Sequence, residues 1–283
     1  MPSDPSSAHA ADPAAAAPRL ADRRALALHR ARAVPDALFL HRHARAALEE
    51  RLADVNRTFT APAVVSGFPG EWGLPGARLV PDAPVLDLAA GAHDLVIHAM
   101  ALHWADDPVG QIVQCRRALR SDGLFLAVLP GGRTLAELRA ALAEAEIALT
   151  GGLSPRVLPM AELRDWGALL QRAGLALPVA DAERLTVTYE SPLALMRELR
   201  LMGEGNALAA RHRRIPPRAL FVRAAAVYEA AHGAGGRIPA TVELVHLSGW
   251  APAPGQPQPL RPGSARARLA DALAVPERPL PRE

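Results

Sequence analysis

Residues 93–108, HDLVIHAMALHWADDP, constrain the fold of this chain more than any other stretch. The run at 95–97 is continuously apolar and is preceded by His93-Asp94. A strand covered on both faces reads this way, so a parallel sheet buried between layers is expected. The segment then opens into a loop carrying His103, Trp104, Asp106 and Asp107. Asp107-Pro108 begins a helix: aspartate caps it, and proline stands at the first helical position, where its missing N–H costs nothing. Open parallel sheets bind ligands outside the carboxyl ends of their strands, and this loop falls there.

The rest of the chain extends that architecture. Residues 63–66 and 78–80 are short strand candidates, and 124–129 (LFLAVL) is a buried strand. The helix at 108–119 carries Val109, Ile112, Val113 and Leu119 on one side and is stopped by Gly123. Thr134-x-x-Glu137 reads as a capping box for a helix with Leu135, Leu138 and Leu142 behind it. A further helix at 160–173 turns Leu163, Trp166, Leu169 and Leu170 inward and ends at Gly174. Leu185, Val187 and Tyr189 alternate with Thr186 and Thr188, the pattern of a half-buried strand. Ser191-Pro192 caps a helix, a second helix covers 217–231, and 241–247 is a late strand. The expected fold is α/β, a mostly parallel sheet whose last two strands, 185–189 and 241–247, are antiparallel, with a helical insertion at 191–233.

By domains, 1–18 is expected to be a disordered tail, rich in Ala, Pro and Ser. Residues 19–56 form N-terminal helices broken near Val34-Pro35, with an arginine-rich surface expected to face solvent or an acidic partner. Residues 57–273 make the main domain, and 274–283 a C-terminal tail.

Composition excludes several chemistries. The 283 residues suffice for one large domain with a full core. There is no lysine, which removes a lysine Schiff base and a Walker-type phosphate loop. The formal net charge of +3 is too small to imply nucleic-acid binding. Cys115 is the single cysteine, so no internal disulfide or cysteine zinc site is expected. No apolar run has the length of a membrane span, and 1–18 lacks the basic and apolar regions of a secretory signal, so a cytoplasmic protein is expected. His41 and His43 stand two apart and face different sides of a helix; neither HExxH nor GxSxG occurs.

The order of buried strand, LHW, acidic cap, helix, Asp122-Gly123 and apolar strand resembles the second half of a class I S-adenosylmethionine (SAM) methyltransferase. The segments 131–139 (GGRTLAELR), 151–156 (GGLSPR), 202–206 (MGEGN), 238–241 (IPAT) and 261–265 (RPGSA) narrow the resemblance to the complex I (NADH:ubiquinone oxidoreductase) assembly factor 5 family. It covers roughly 23–273. It implies a Rossmann-like methyltransferase fold, SAM as cofactor, a complex I subunit as protein partner and a link to arginine hydroxylation.

In such a fold a glycine-rich turn after the first strand lets backbone approach the cofactor, and acids at the next strand ends hold ribose and adenine. Here the turn reads Val64-Val65-Ser66-Gly67-Phe68-Pro69-Gly70, with serine in the acidic position. Gly67, Gly70, Asp82 and Met100 are the cofactor-binding candidates. His103 and Trp104 are candidates for the acceptor side, with packing as the alternative for each. Residues 79–96 resemble the family's third strand and its exit, in which case the first half is abbreviated and lacks a helix, a strand and the ribose acid. Alternatively, 78–80 is the second strand and Asp82 the ribose acid. Arg211, Arg213 and Arg214 are candidates for docking an acidic protein surface. Two functions stay open: a SAM-dependent enzyme acting on a protein partner, or a non-catalytic assembly factor that has lost SAM. A small-molecule methyltransferase is a third.

Overall fold

The computed structural model describes residues 19–257, Asp271, Ala274 and Val275. The expected tail at 1–18, the RPGSA segment and most of 274–283 lie outside the described residues. The chain divides into two units, Met1–Pro252 and Ala253–Glu283. The sheet and its helices belong to the first. In the second, the Ala253 N–H donates to the Gln256 side chain at 3.0 Å.

Six strands form one sheet in the order β2-β1-β3-β4-β6-β5. These are β1 (Pro62–Ser66), β2 (Arg78–Pro81), β3 (His93–Ala99), β4 (Leu119–Pro130), β5 (Ala176–Tyr189) and β6 (Ile238–Trp250). β1 pairs parallel with β2 and β3, and β3 with β4; β6 runs antiparallel to both β4 and β5. This is the mostly parallel sheet with an antiparallel end that the sequence predicts. Every residue of β1 and β3 is buried, as strands covered on both faces require.

Helices cover the two faces. On one, α3 (Pro108–Ala118) and α5 (Leu163–Arg172) set Ile112, Cys115, Trp166 and Leu170 against Val65, Val96 and Phe125. On the other, α2 (Phe39–Asp54) sets Leu40, Ala44 and Leu48 against Val64, Leu95 and Ile97. α4 (Ala136–Thr150), α6 (Pro192–Leu201) and α7 (Arg218–His232) share a separate core with Ile238 and Ala240 of β6. A short α1 (Arg23–Arg30) packs with Trp104, Leu158, Ala207 and Leu208.

Asp107 caps α3 by accepting from the Gly110 N–H at 2.8 Å, and Ser191 caps α6 by accepting from Ala194 at 3.2 Å. The capping box at Thr134 and Glu137 does not form. Leu135 precedes α4 with φ +55°, and no side chain caps the helix. The two polar side chains tie α4 to β6 instead: the Thr134 hydroxyl donates to the Glu243 carbonyl at 3.0 Å, and Glu137 accepts from Thr241. A strand needed these acceptors more than the helix end did, because Glu243 and its neighbours are buried.

β5 and β6 are much longer than 185–189 and 241–247. The additional part of β5 contains Pro178, Asp181, Glu183 and Arg184, which strand patterning disfavours. It lies on the edge of the sheet, where charge and proline are tolerated.

The first crossover decides between the two readings of 78–96. Residues 67–77 join β1 to β2 through a 3-10 turn at Pro69–Trp72, with no α-helix. β2 nevertheless lies directly beside β1. The first half is abbreviated by loss of its helix, and Asp82 leaves the end of the strand adjacent to β1.

Candidate functional site at the strand ends

The carboxyl ends of β1, β2 and β3 meet at Gly67, Asp82 and Met100. Arg30, the last residue of α1, reaches into this corner. Its Nη1 donates to Asp82 Oδ1 at 2.6 Å, with 9% of the arginine side chain and 7% of the aspartate exposed. Arg23, one end of the same helix, lies 3.4 Å from Oδ2. The Arg30 guanidinium also sits 5.8 Å from the Phe68 ring centroid, within range of a cation–π contact. A Cβ at Gly67 would overlap the guanidinium, so glycine is what permits this approach. Gly203 serves the neighbouring loop likewise: at φ +82°, it lies against Phe68 and the Arg30 backbone.

α1 is fastened on both sides. The Leu20 and Ala21 N–H groups donate to Asp106 at 2.7 and 3.0 Å. Asp22 caps α1 by accepting from the Ala25 N–H, and also accepts from Arg211 at 2.9 Å and Arg213 at 2.7 Å. The Asp22 N–H donates to the Ala207 carbonyl, and Val34 to the Leu201 carbonyl.

A second polar group adjoins the first. Trp104 Nε1 donates to Glu204 at 2.9 Å, and His103 Nε2 stands 3.8 Å from the same carboxylate. Burial raises the Glu204 pKa, but His103, Arg30 and the Trp104 N–H outweigh it and bring it down to about 2. Trp72 donates to His41 Nδ1 at 3.0 Å, and His98 bonds Gln111 at 2.7 Å. Burial drives both of these histidines down to about 4, so they are neutral at physiological pH. Arg30 Nε and Nη2, His41 Nε2, His98 Nδ1 and both His103 nitrogens are buried with no hydrogen bond among the described residues.

The structure places Gly67 and Asp82 at neighbouring strand ends with the Arg30 guanidinium against both. Gly70 lies in the 3-10 turn with nothing within 4 Å of its Cβ position, so nothing there requires its small size. Met100 is buried, with φ +48° and its N–H on the Val128 carbonyl at 2.8 Å; its side chain belongs to the core on the α2 face. His103 and Trp104 are both buried, which fits packing and polar anchoring of the Glu204 loop. Arg211 and Arg213 are engaged with Asp22 rather than free, while Arg214 is exposed. Sequence reasoning missed Arg30, His41 and Glu204. Arg30 was hidden in an arginine-rich helix that reads as solvated, and Glu204 lay inside MGEGN without an assigned role.

These residues do not fit SAM as arranged. The backbone approach at Gly67 and the carboxylate of Asp82, the two groups that would receive it, are both taken by Arg30. Among the described residues no group of three or more His, Cys, Asp or Glu is placed to hold a metal ion, and no helix is long and apolar enough to cross a membrane. An open groove of about 460 Å³ between β5 and α6, lined by Phe39, Tyr189, Glu190 and Arg237, shares no residue with this corner.

No family model matches the chain. Among characterised proteins it is similar to the mitochondrial arginine-hydroxylase NDUFAF5 of Dictyostelium discoideum, at 39% identity over 63% of this chain and 41% of that one. The zebrafish (Danio rerio) protein of the same name is 33% identical over 71% of this chain and 63% of its own length. The malonyl-[acyl-carrier protein] O-methyltransferase of Laribacter hongkongensis is 37% identical over 62% of this chain and 57% of that one. The chain thus spans less than two thirds of the length of these relatives. A solved structure of a putative methyltransferase from Bacillus halodurans is similar at 13% identity, with a TM-score of 0.46, over 73% of this chain and 98% of that one. The NDUFAF5 relatives are named as mitochondrial, which overturns the cytoplasmic location expected from the lack of a signal or span. That expectation rested on absences, and absences do not specify a compartment. In sheet order the chain has a class I methyltransferase-like fold, and in sequence it is similar to proteins of the complex I assembly factor 5 family.

Proposed function

We propose that this chain acts on a protein partner in the assembly of respiratory complex I, using a methyltransferase-like fold in which its own Arg30 stands where a nucleoside cofactor would bind. The observation that carries this reading is the Arg30–Asp82 pair lying on Gly67. A buried ion pair of this kind is costly to break, because each partner left alone is an unpaired buried charge. The similarity to NDUFAF5 proteins supports the assembly role. The exposed Arg214 is the docking residue this reading favours. Arg211 and Arg213 hold α1 through Asp22 and serve docking indirectly.

A second reading is SAM-dependent methyl transfer to that partner. It is favoured by the similarity to malonyl-[acyl-carrier protein] O-methyltransferases and requires α1 to leave the strand ends.

The assembly role is tested by affinity purification of the tagged chain from its own host, with captured proteins identified by mass spectrometry. Complex I subunits are expected with the intact chain and should be depleted with Arg214→Glu, more so at high salt, since exposed charges are screened. Absence of complex I subunits from the intact chain's partners would overturn it.

A further inference from the structure

β5 ends the sheet, so one of its sides has no strand beside it among the described residues. Its first part carries Pro178, Asp181, Glu183 and Arg184, the residue types that discourage pairing at an edge. Its last part, Leu185–Tyr189 (LTVTY), carries no charge and no proline. An uncharged edge rich in β-branched residues is a template for a further strand.

The register of β6 shows which backbone groups face that side. The Thr241 carbonyl accepts from the Leu135 N–H and the Glu243 carbonyl from the Gly131 N–H, both at 2.8 Å. These alternate residues of β6 therefore turn away from β5. Thr186 stands opposite Thr241, and Thr188 opposite Pro239, two positions along. In an antiparallel ladder the two members of such a pair turn their backbone groups apart, so Thr186 and Thr188 present theirs to the free edge. Arg237 reaches one of them. Its Nη2 donates to the Thr188 carbonyl at 2.7 Å and its Nε to the Thr188 hydroxyl at 3.1 Å. Beside the edge, Phe39, Val187, Tyr189 and Ala194 line the open groove.

We propose that Leu185–Tyr189 pairs antiparallel with the same segment of a second copy of this chain, about a two-fold axis at Val187, with Arg237 as a latch on the edge. The register is self-complementary. Val187 meets Val187, Leu185 meets Tyr189 and Thr186 meets Thr188, the kinds of cross-strand pair that stabilise sheets. One position further out, Arg184 meets Glu190. The Arg184 side chain is 59% exposed and no nearer than 3.8 Å to Glu243. Glu190 is exposed and has no ion pair among the described residues. Centring the contact on Thr186 or Thr188 instead loses that charge match. Residues equally distant from Val187 lie on one face of the strand, as a two-fold axis through a continuous sheet requires. Leu185, Val187 and Tyr189 of the second copy then cover the groove. The Thr188 carbonyl held by Arg237 is the acceptor that the Thr186 N–H of the second copy needs, so the latch opposes the pairing.

The test is sedimentation of the full chain over a range of concentrations, with amide exchange read in parallel. The unaltered chain should pass from monomer to dimer as concentration rises, and Arg237→Ala should dimerise about tenfold more tightly. Arg184→Glu or Glu190→Arg alone sets like charges opposite each other at two symmetric places and should weaken the dimer about tenfold. The exchanged pair, Arg184→Glu with Glu190→Arg, should restore it. All four positions changed are on the surface of β5 or its flanks, and far-UV circular dichroism checks that each variant keeps its fold. Exchange at the Thr186 and Thr188 amides should slow as the dimer forms. Arg237→Ala that stays monomeric throughout would overturn the pairing. So would a dimer indifferent to the charge reversals, which would use another surface. Slowed exchange at these two amides in a monomeric chain mixed with host extract would assign the edge to a strand of a different protein and also overturn self-pairing.

Discussion

Arg30 Nη1 and Asp82 Oδ1 stand 2.6 Å apart, joining the end of α1 to the end of β2 across more than fifty residues of sequence. The pair closes the corner at which an open parallel sheet ordinarily receives its ligand.

Removing one partner should be expensive. Arg30→Met leaves Asp82 buried with only Arg23, at 3.4 Å, to answer its charge. Loss of about 3–5 kcal/mol of stability is expected from urea unfolding. Adding Asp82→Asn should return part of that loss, because the unpaired charge is gone. A double variant no more stable than Arg30→Met would show that the cost lies in packing and not in charge.

Glu146 anchors the GGLSPR segment. It accepts from the Ser154 N–H at 3.0 Å, the Ser154 hydroxyl at 2.6 Å and Arg156 Nε at 3.1 Å. Burial raises its pKa, but Arg156 and Ser154 outweigh that and bring it down to about 2. A depressed carboxyl contributes stability that is full above its unfolded value and lost as pH falls toward about 2. Glu146→Gln should therefore cost about 2 kcal/mol at neutral pH and flatten the acid limb of the unfolding profile. A profile unchanged between pH 5 and 2 would contradict the assignment.

His41 and His98 act in a different window. Both are held neutral by burial, with values near 4 against an unfolded value of 6.5. The unfolded chain binds their protons first, so the stability they contribute is complete above 6.5 and declines as pH falls toward 4. The His98 part amounts to roughly 3 kcal/mol at the low end. His98→Asn, which carries no titrating group, should lose less stability than the unaltered chain between pH 7 and 4 in thermal scans. Parallel curves for the two would refute this.

Trp104→Phe keeps the ring in its core and removes the N–H that Glu204 accepts at 2.9 Å. A hydrogen bond to a charged group is worth about 2 kcal/mol, and that loss is expected. Hydrogen exchange should also quicken in 202–206, whose carboxylate it anchors. Unaltered exchange there would mean the loop is held by its glycine packing alone.

What was legible in the sequence was local. The apolar runs of β3 and β4 and the Asp107-Pro108 and Ser191-Pro192 starts each announce themselves within a few residues. The antiparallel end could be placed from the alternation at 185–189, although its charged and proline-bearing half could not. Gly67 and Asp82 were recognisable as strand-end residues. Arg30 was not, because an arginine in a basic helix carries no mark of which carboxylate it will reach. The same holds for His41, His98 and Glu204, which come from α2, β3 and the loop after α6. Thr134 and Glu137 had the spacing of a cap, yet tertiary demand from β6 took both side chains.

In the proposed reading, Arg30 fills the corner at the strand ends where a nucleoside cofactor would bind. Isothermal titration of the intact protein with SAM tests it most directly. The account predicts no saturable heat at sub-millimolar ligand, because binding would require Arg30 to leave both Gly67 and Asp82. A micromolar dissociation constant with the helix still seated would contradict it.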